Sequence, residues 1–130
     1  MRLAIPYFGL LLFIFHFNEA FTVTKKMTWK QADDWCYFHG KGGLYSPKKE
    51  TIAKALKACG KRHCWLGLHR KEPKSKQFAS VDFTQPHLNW GPKLPDNFHQ
   101  VEDCVGFYRS GKGKMNDFQC RLKINGICEY

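Results

Sequence analysis

Apolar and polar positions along the chain fall into two helical stretches followed by short strands. Over "MTWKQADDWCYFH", Trp29, Ala32 and Cys36 recur at helical spacing, while Lys30, Asp33 and Asp34 take the water-facing side. That periodicity predicts an amphipathic helix. Thr28 and Gln31 supply a capping-box pair at its start, and "GKGG" stops it, because glycine accepts the left-handed conformation. A second helix is expected from "SPKKE", with Ser46 as N-cap and Pro47 at the first helical position, where no N–H is needed. Ile52, Leu56 and Cys59 form its apolar stripe, and Glu50, Lys54, Lys57 and Lys61 share another face. Beyond it "CWLGL", "SVDF", "CVGFY" and "NGICEY" read as short strands between Pro/Gly/Asn-rich loops. Early helices followed by strands predict an α+β domain.

The N-terminal segment has a different pattern. Met1-Arg2 is a short basic start, and "IPYFGLLLFIF" is an apolar core too short for a comfortable membrane span. Ala20 offers a cleavage point, so residues 1–20 read as an export signal and residues 21–130 as one domain. No second apolar run follows, and a secreted, extracellular protein is expected. Six cysteines in an exported domain of this size predict three disulfides. Their spacing leaves about 15 connectivities open. Zinc is the competing use of Cys59, His63 and Cys64.

Charge narrows the partners. The formal net charge is +10, and loss of residues 1–20 removes only Arg2 and Glu19, one of each sign. Lys48, Lys49, Lys54, Lys57, Lys61 and Arg62 face only Glu50 within their stretch, and more cations follow in "HRKEPKSK" and "RSGKGK". Such density attracts sulfated glycans, lipopolysaccharide phosphates and anionic membranes. The bland alternative is a solvated surface. Clustering along one helix face makes Lys54, Lys57, Lys61 and Arg62 the candidate anion-binding residues. Nucleic acid is not expected for an exported disulfide protein. "GFYRSGKG" resembles a phosphate-binding loop but has Gly113 where the magnesium-holding hydroxyl belongs. No nucleophile-elbow context surrounds any serine, and the mature histidines are scattered, so an enzyme is not expected.

Four segments then fall in an order that resembles the C-type lectin-like domain. They are "WKQADDWC" on the first helix, "WLGL" from Trp65 to Leu68, "EDC" before "NDFQC", and the closing "ICEY". The resemblance covers nearly all of residues 21–130. It implies a fold of two helices, small antiparallel sheets and a long loop. It also implies the pairs Cys36–Cys128 and Cys104–Cys120, which leaves Cys59–Cys64 as an extra bridge pinning the second helix to the following strand. In sugar-binding members the long loop and the next strand hold calcium, whose sphere of 6–8 oxygens a sugar completes. Carried over by position, the metal and sugar ligands would be Asp96, Glu102, Asn116 and Asp117. The first motif position is Leu94, which offers no oxygen, Met115 stands in place of a tryptophan, and Pro95 is cis in the family. The second family calcium site retains only Asp103, with Asn97 where an acid is expected.

Two functions follow. The first is a secreted lectin that binds carbohydrate, in innate recognition or as a venom or salivary effector, with calcium impaired or altered by Leu94. The second is a calcium-independent lectin-like protein whose basic face binds sulfated glycans, lipopolysaccharide or a protein partner.

Overall fold

A computed structural model describes residues 21–108 and 112–129 of the chain; the expected export signal lies outside them. The elements in order are β1 (Thr22–Val23), α1 (Trp29–Phe38), α2 (Ile52–Cys59), β2 (Cys64–Arg70), β3 (Phe78–Ser80), a 3-10 turn (Phe98–Gln100), β4 (Cys104–Phe107), β5 (Met115–Phe118) and β6 (Asn125–Cys128). The strands form one mixed sheet ordered β1-β6-β2-β4-β5, with β3 paired to β2. The expected small antiparallel sheets are therefore a single sheet. Its β2–β6 pair is parallel, with Cys64 opposite Asn125 and Trp65 opposite Gly126.

The first helix forms as its sequence dictates. The Gln31 N–H donates to Thr28 Oγ1 at 3.2 Å, and the Thr28 N–H donates to Gln31 Oε1 at 3.1 Å. Ala32 and Cys36 are buried, and Gly40 follows the C-cap in the left-handed region. The second helix begins later than "SPKKE" predicts. Ser46 is not its N-cap: the Ser46 N–H donates to Glu129 Oε2, and Ser46 Oγ accepts from the Asp82 N–H. A polar residue that is completely buried must find partners, and here they lie across the fold, so residues 46–50 stay irregular and Thr51 precedes the helix. "SVDF" is likewise corrected. The strand covers Phe78–Ser80, and Asp82 instead accepts from the Thr84 N–H and hydroxyl to form a turn.

Strand β2 divides two cores. Cys64, Leu66 and Leu68 join the cluster that α2 covers, and Trp65 joins the cluster under α1. This is the period-two alternation of a strand buried on both faces. The Trp65 indole donates to Met27 O at 2.9 Å, and the Trp29 indole donates to Leu66 O at 2.8 Å. Gly67 sits where a Cβ would lie 2.5 Å from Leu44 O, so only glycine allows that approach. Three disulfides close the domain: Cys36–Cys128, Cys59–Cys64 and Cys104–Cys120. The Cys59–Cys64 bridge consumes both thiols that zinc would need.

Candidate functional site

Strand alternation places Arg70 on the same face as Cys64, Leu66 and Leu68, so its side chain points inward. It is 6% exposed, the only buried lysine or arginine among the described residues. A buried guanidinium needs both a counter-charge and partners for its N–H groups. Nη2 donates to Asp117 Oδ2 at 2.9 Å and to Glu102 O at 2.8 Å. Nε donates to Asp103 Oδ1 at 3.1 Å, Nη1 donates to Ser75 O, and the guanidinium lies 4.6 Å above the Phe78 ring. From the sequence, Arg70 is one of the cations of "HRKEPKSK". The signal that could have found it is the alternation, which makes Arg70 the fourth inward position of β2.

Around this cation the structure gathers Asp96, Glu102 and Asp117, whose carboxylate oxygens lie within 4.8 Å of one another. Asp117 and Glu102 already hold the long loop. Asp117, fully buried on β5, accepts from the Asp96 N–H at 3.1 Å and from the Asn97 N–H at 2.7 Å. Glu102 Oε1 accepts from the Phe98 N–H at 3.0 Å, and the Glu102 N–H donates to Asn97 Oδ1 at 3.0 Å. These bonds fix a loop in which Lys93, Asn97, His99 and Gln100 all have positive φ, a conformation that costs energy in non-glycine residues and persists where its surroundings over-determine it. The Leu94–Pro95 peptide is cis. Burial pushes the Glu102 carboxyl up to about 7; the Phe98 N–H opposes the rise, and the Asp96 carboxyl and the Asp117 charge add to it.

This donor set does not fit calcium. Leu94 contributes no oxygen, and both Asp117 oxygens are engaged. A divalent ion on Asp117 would also sit beside the guanidinium. The guanidinium offsets part of the attraction that the three carboxylates would exert on the ion.

Asn116 behaves differently. It lines a cleft of about 650 Å³ together with Leu94, Asp96, Tyr108, Lys112 and Lys114. Its side-chain oxygen is buried without a hydrogen-bond partner, an uncommon condition that a bound donor would relieve. Lys114 Nζ donates to Asn89 Oδ1 at 3.3 Å, and the Tyr108 ring is half exposed. Asp96 also lines a neighbouring cleft of about 550 Å³ with Arg70, Lys74, Lys76 and Trp90. Thus Asp96, Glu102 and Asp117 come together around Arg70, and Asn116 joins Asp96 on the cleft wall.

The four basic candidates divide. Lys54 and Lys57 are exposed on α2, whereas Lys61 and Arg62 line another cleft beyond its C-terminal end. Arg62 donates to Cys59 O and Ala58 O, the helix's last carbonyls.

Residues 25–130 match the family described as Lectin C-type domain. Mouse C-type lectin domain family 3 member A is 31% identical over 106 residues, covering 77% of this chain and 53% of that protein. Mouse asialoglycoprotein receptor 2 is 27% identical over 108 residues, covering 79% of this chain and 35% of the relative. The chain therefore spans about half the first relative's length and about a third of the second's. Among solved structures, the cow CD23 C-type carbohydrate-recognition domain, determined in the presence of a GlcNAc2Man3 oligosaccharide, superposes with a TM-score of 0.74 at 26% identity, covering 83% of this chain and 84% of that one. A calcium-independent type II antifreeze protein shares the fold at TM-score 0.71 and 21% identity, covering 83% of this chain and 82% of that one. The chain belongs to the C-type lectin domain family.

Proposed function

We propose that this protein is a secreted, calcium-independent carbohydrate-recognition domain that holds its sugar directly in the cleft beside Asn116. The observation that carries the reading is Arg70, a cation built into the acid cluster where calcium would otherwise be needed. With the loop already held, no metal has to bridge protein and ligand. With its amide oxygen turned toward the cleft, Asn116 accepts from a sugar hydroxyl, the Asp96 carboxylate accepts from a second, Lys114 donates, and Tyr108 offers an aromatic face. Export rests on the leader-like residues 1–20 together with the disulfides. The basic-face alternative is favoured by a different observation, the Lys61 cleft.

Calorimetric titration of calcium into the oxidised protein tests the metal half of the proposal. No saturation is expected up to about a millimolar, the range of extracellular calcium modules. Screening immobilised sugars with and without a chelator tests the other half. Binding should survive the chelator and fall about tenfold in Asn116→Ala, as expected for loss of a hydrogen bond in a buried site. Sugar binding that vanishes with the chelator would refute calcium independence, and unchanged binding by Asn116→Ala would refute the cleft.

A further inference from the structure

A basic cleft lies at the opposite end of β2 from Arg70. A cleft of about 340 Å³ is lined by Lys26, Lys61, Arg62, His63, Lys123 and Ile124, with no aspartate or glutamate on its wall. Its cations come from segments far apart in the chain that the backbone ties together. The Met27 N–H donates to Ile124 O at 2.9 Å and the Ile124 N–H to Met27 O at 3.1 Å, which sets Lys26 near Lys123. The parallel register of Cys64 with Asn125 brings the 61–63 loop alongside them, and the Cys59–Cys64 bridge closes that loop. Lys26, Lys61 and Lys123 make no hydrogen bond or ion pair in the described structure. Converging cations without a counter-charge repel one another and concentrate an anionic partner.

We infer that this cleft binds a sulfated glycan chain. Its chemistry suits a linear polyanion better than a lone phosphate, because its cations come from three separate segments along the cleft. Lysines act as point charges along a groove. Of the five Arg62 donors, two are held by the helix carbonyls and the rest are left to reach a ligand. Single-stranded nucleic acid would need aromatic platforms for its bases. The one ring on the wall, His63, instead packs against Phe118 at 5.4 Å and Tyr108 at 5.6 Å between centroids. An anionic membrane would need an apolar wedge, and only the partly buried Ile124 is present. The glycan class rests on the carbohydrate-recognition reading above; the location does not.

Binding of a heparin-derived octasaccharide to the oxidised protein, followed by calorimetry, tests the inference. The triple charge reversal Lys26→Glu, Lys61→Glu, Lys123→Glu should lower affinity about tenfold or more, and raising the salt should weaken wild-type binding. Lys54→Glu with Lys57→Glu should have a smaller effect, and the triple variant should keep its binding of neutral sugars, which separates this site from the sugar cleft. Near-UV circular dichroism verifies that the triple variant is folded. As a second readout, Lys61→Arg should retain affinity while Lys61→Glu does not. Retained affinity in the folded triple variant overturns the site. Equal binding of a desulfated octasaccharide, or of a single-stranded oligonucleotide, overturns the ligand class.

Discussion

The two ends of β2, about 20 Å apart by strand rise, handle positive charge in opposite ways. At one end Arg70 is buried and bonded to two carboxylates and two carbonyls. At the other, Lys26, Lys61 and Lys123 surround open space with no acid among them. A strand buried on both faces is the rigid spacer between them. Buried charge here organises a loop, whereas the surface cations at the other end have no acid on their cleft wall. Net charge alone does not distinguish these roles, because only the position of each cation relative to the sheet decides which it plays.

The largest break in that comparison should come from Arg70→Ala. It strands the buried Asp117 carboxylate and frees two carbonyls, and removing one partner of a buried ion pair costs about 3–5 kcal/mol. The denaturant midpoint should fall accordingly, and Asp117→Asn in the Arg70→Met background should recover part of the loss. A midpoint unchanged by Arg70→Ala would mean that the guanidinium does not hold the loop.

A smaller effect is expected at the basic end. Replacing Cys59 and Cys64 together by alanine opens a short loop, whose closure contributes ~2 kcal/mol in the chain-entropy account. The fold should survive, measured by thermal melting, while octasaccharide affinity drops severalfold, because Lys61 and Arg62 lose their fixed placement. Unaltered affinity would mean that the bridge does not shape the cleft.

The smallest effect belongs to Glu102. Its folded-state pKa, about 7, lies above the ordinary 4.5, so the folded protein binds the proton more tightly than the unfolded chain does. That contribution is fully present below the unfolded pKa and is lost as pH rises through the folded one. Glu102 therefore lowers the melting temperature progressively between about pH 4.5 and pH 7. Glu102→Gln should flatten this slope, by at most a few degrees for a partly exposed group. A slope that persists in Glu102→Gln would assign the titration elsewhere.

Local patterns carried the first helix, whose capping box and stop signal are read within a few residues, and strands β2, β4 and β6, whose cores were placed correctly. The second helix failed at its start because Ser46 is claimed by Glu129 and the Asp82 N–H, partners 83 and 36 residues away. No local propensity encodes such distant competition. The acid cluster was legible as a set of positions, but not the fact that its oxygens are turned onto loop N–H groups and Arg70. The basic stretch was read as one helix face, which holds for Lys54 and Lys57. Lys61 and Arg62 follow the helix's end and meet Lys26 and Lys123 only through the β6 pairing.

Arg70 also sets when the recognition surface comes into being. An ion must be captured after the chain has folded, and its occupancy follows the supply in each compartment. A side chain arrives with the polypeptide, at an effective concentration set by covalent connection rather than by the surrounding fluid. On the calcium-independent reading proposed above, the long loop needs no loading step: its shape is complete once the disulfides have closed, and depletion of divalent ions should not dismantle it.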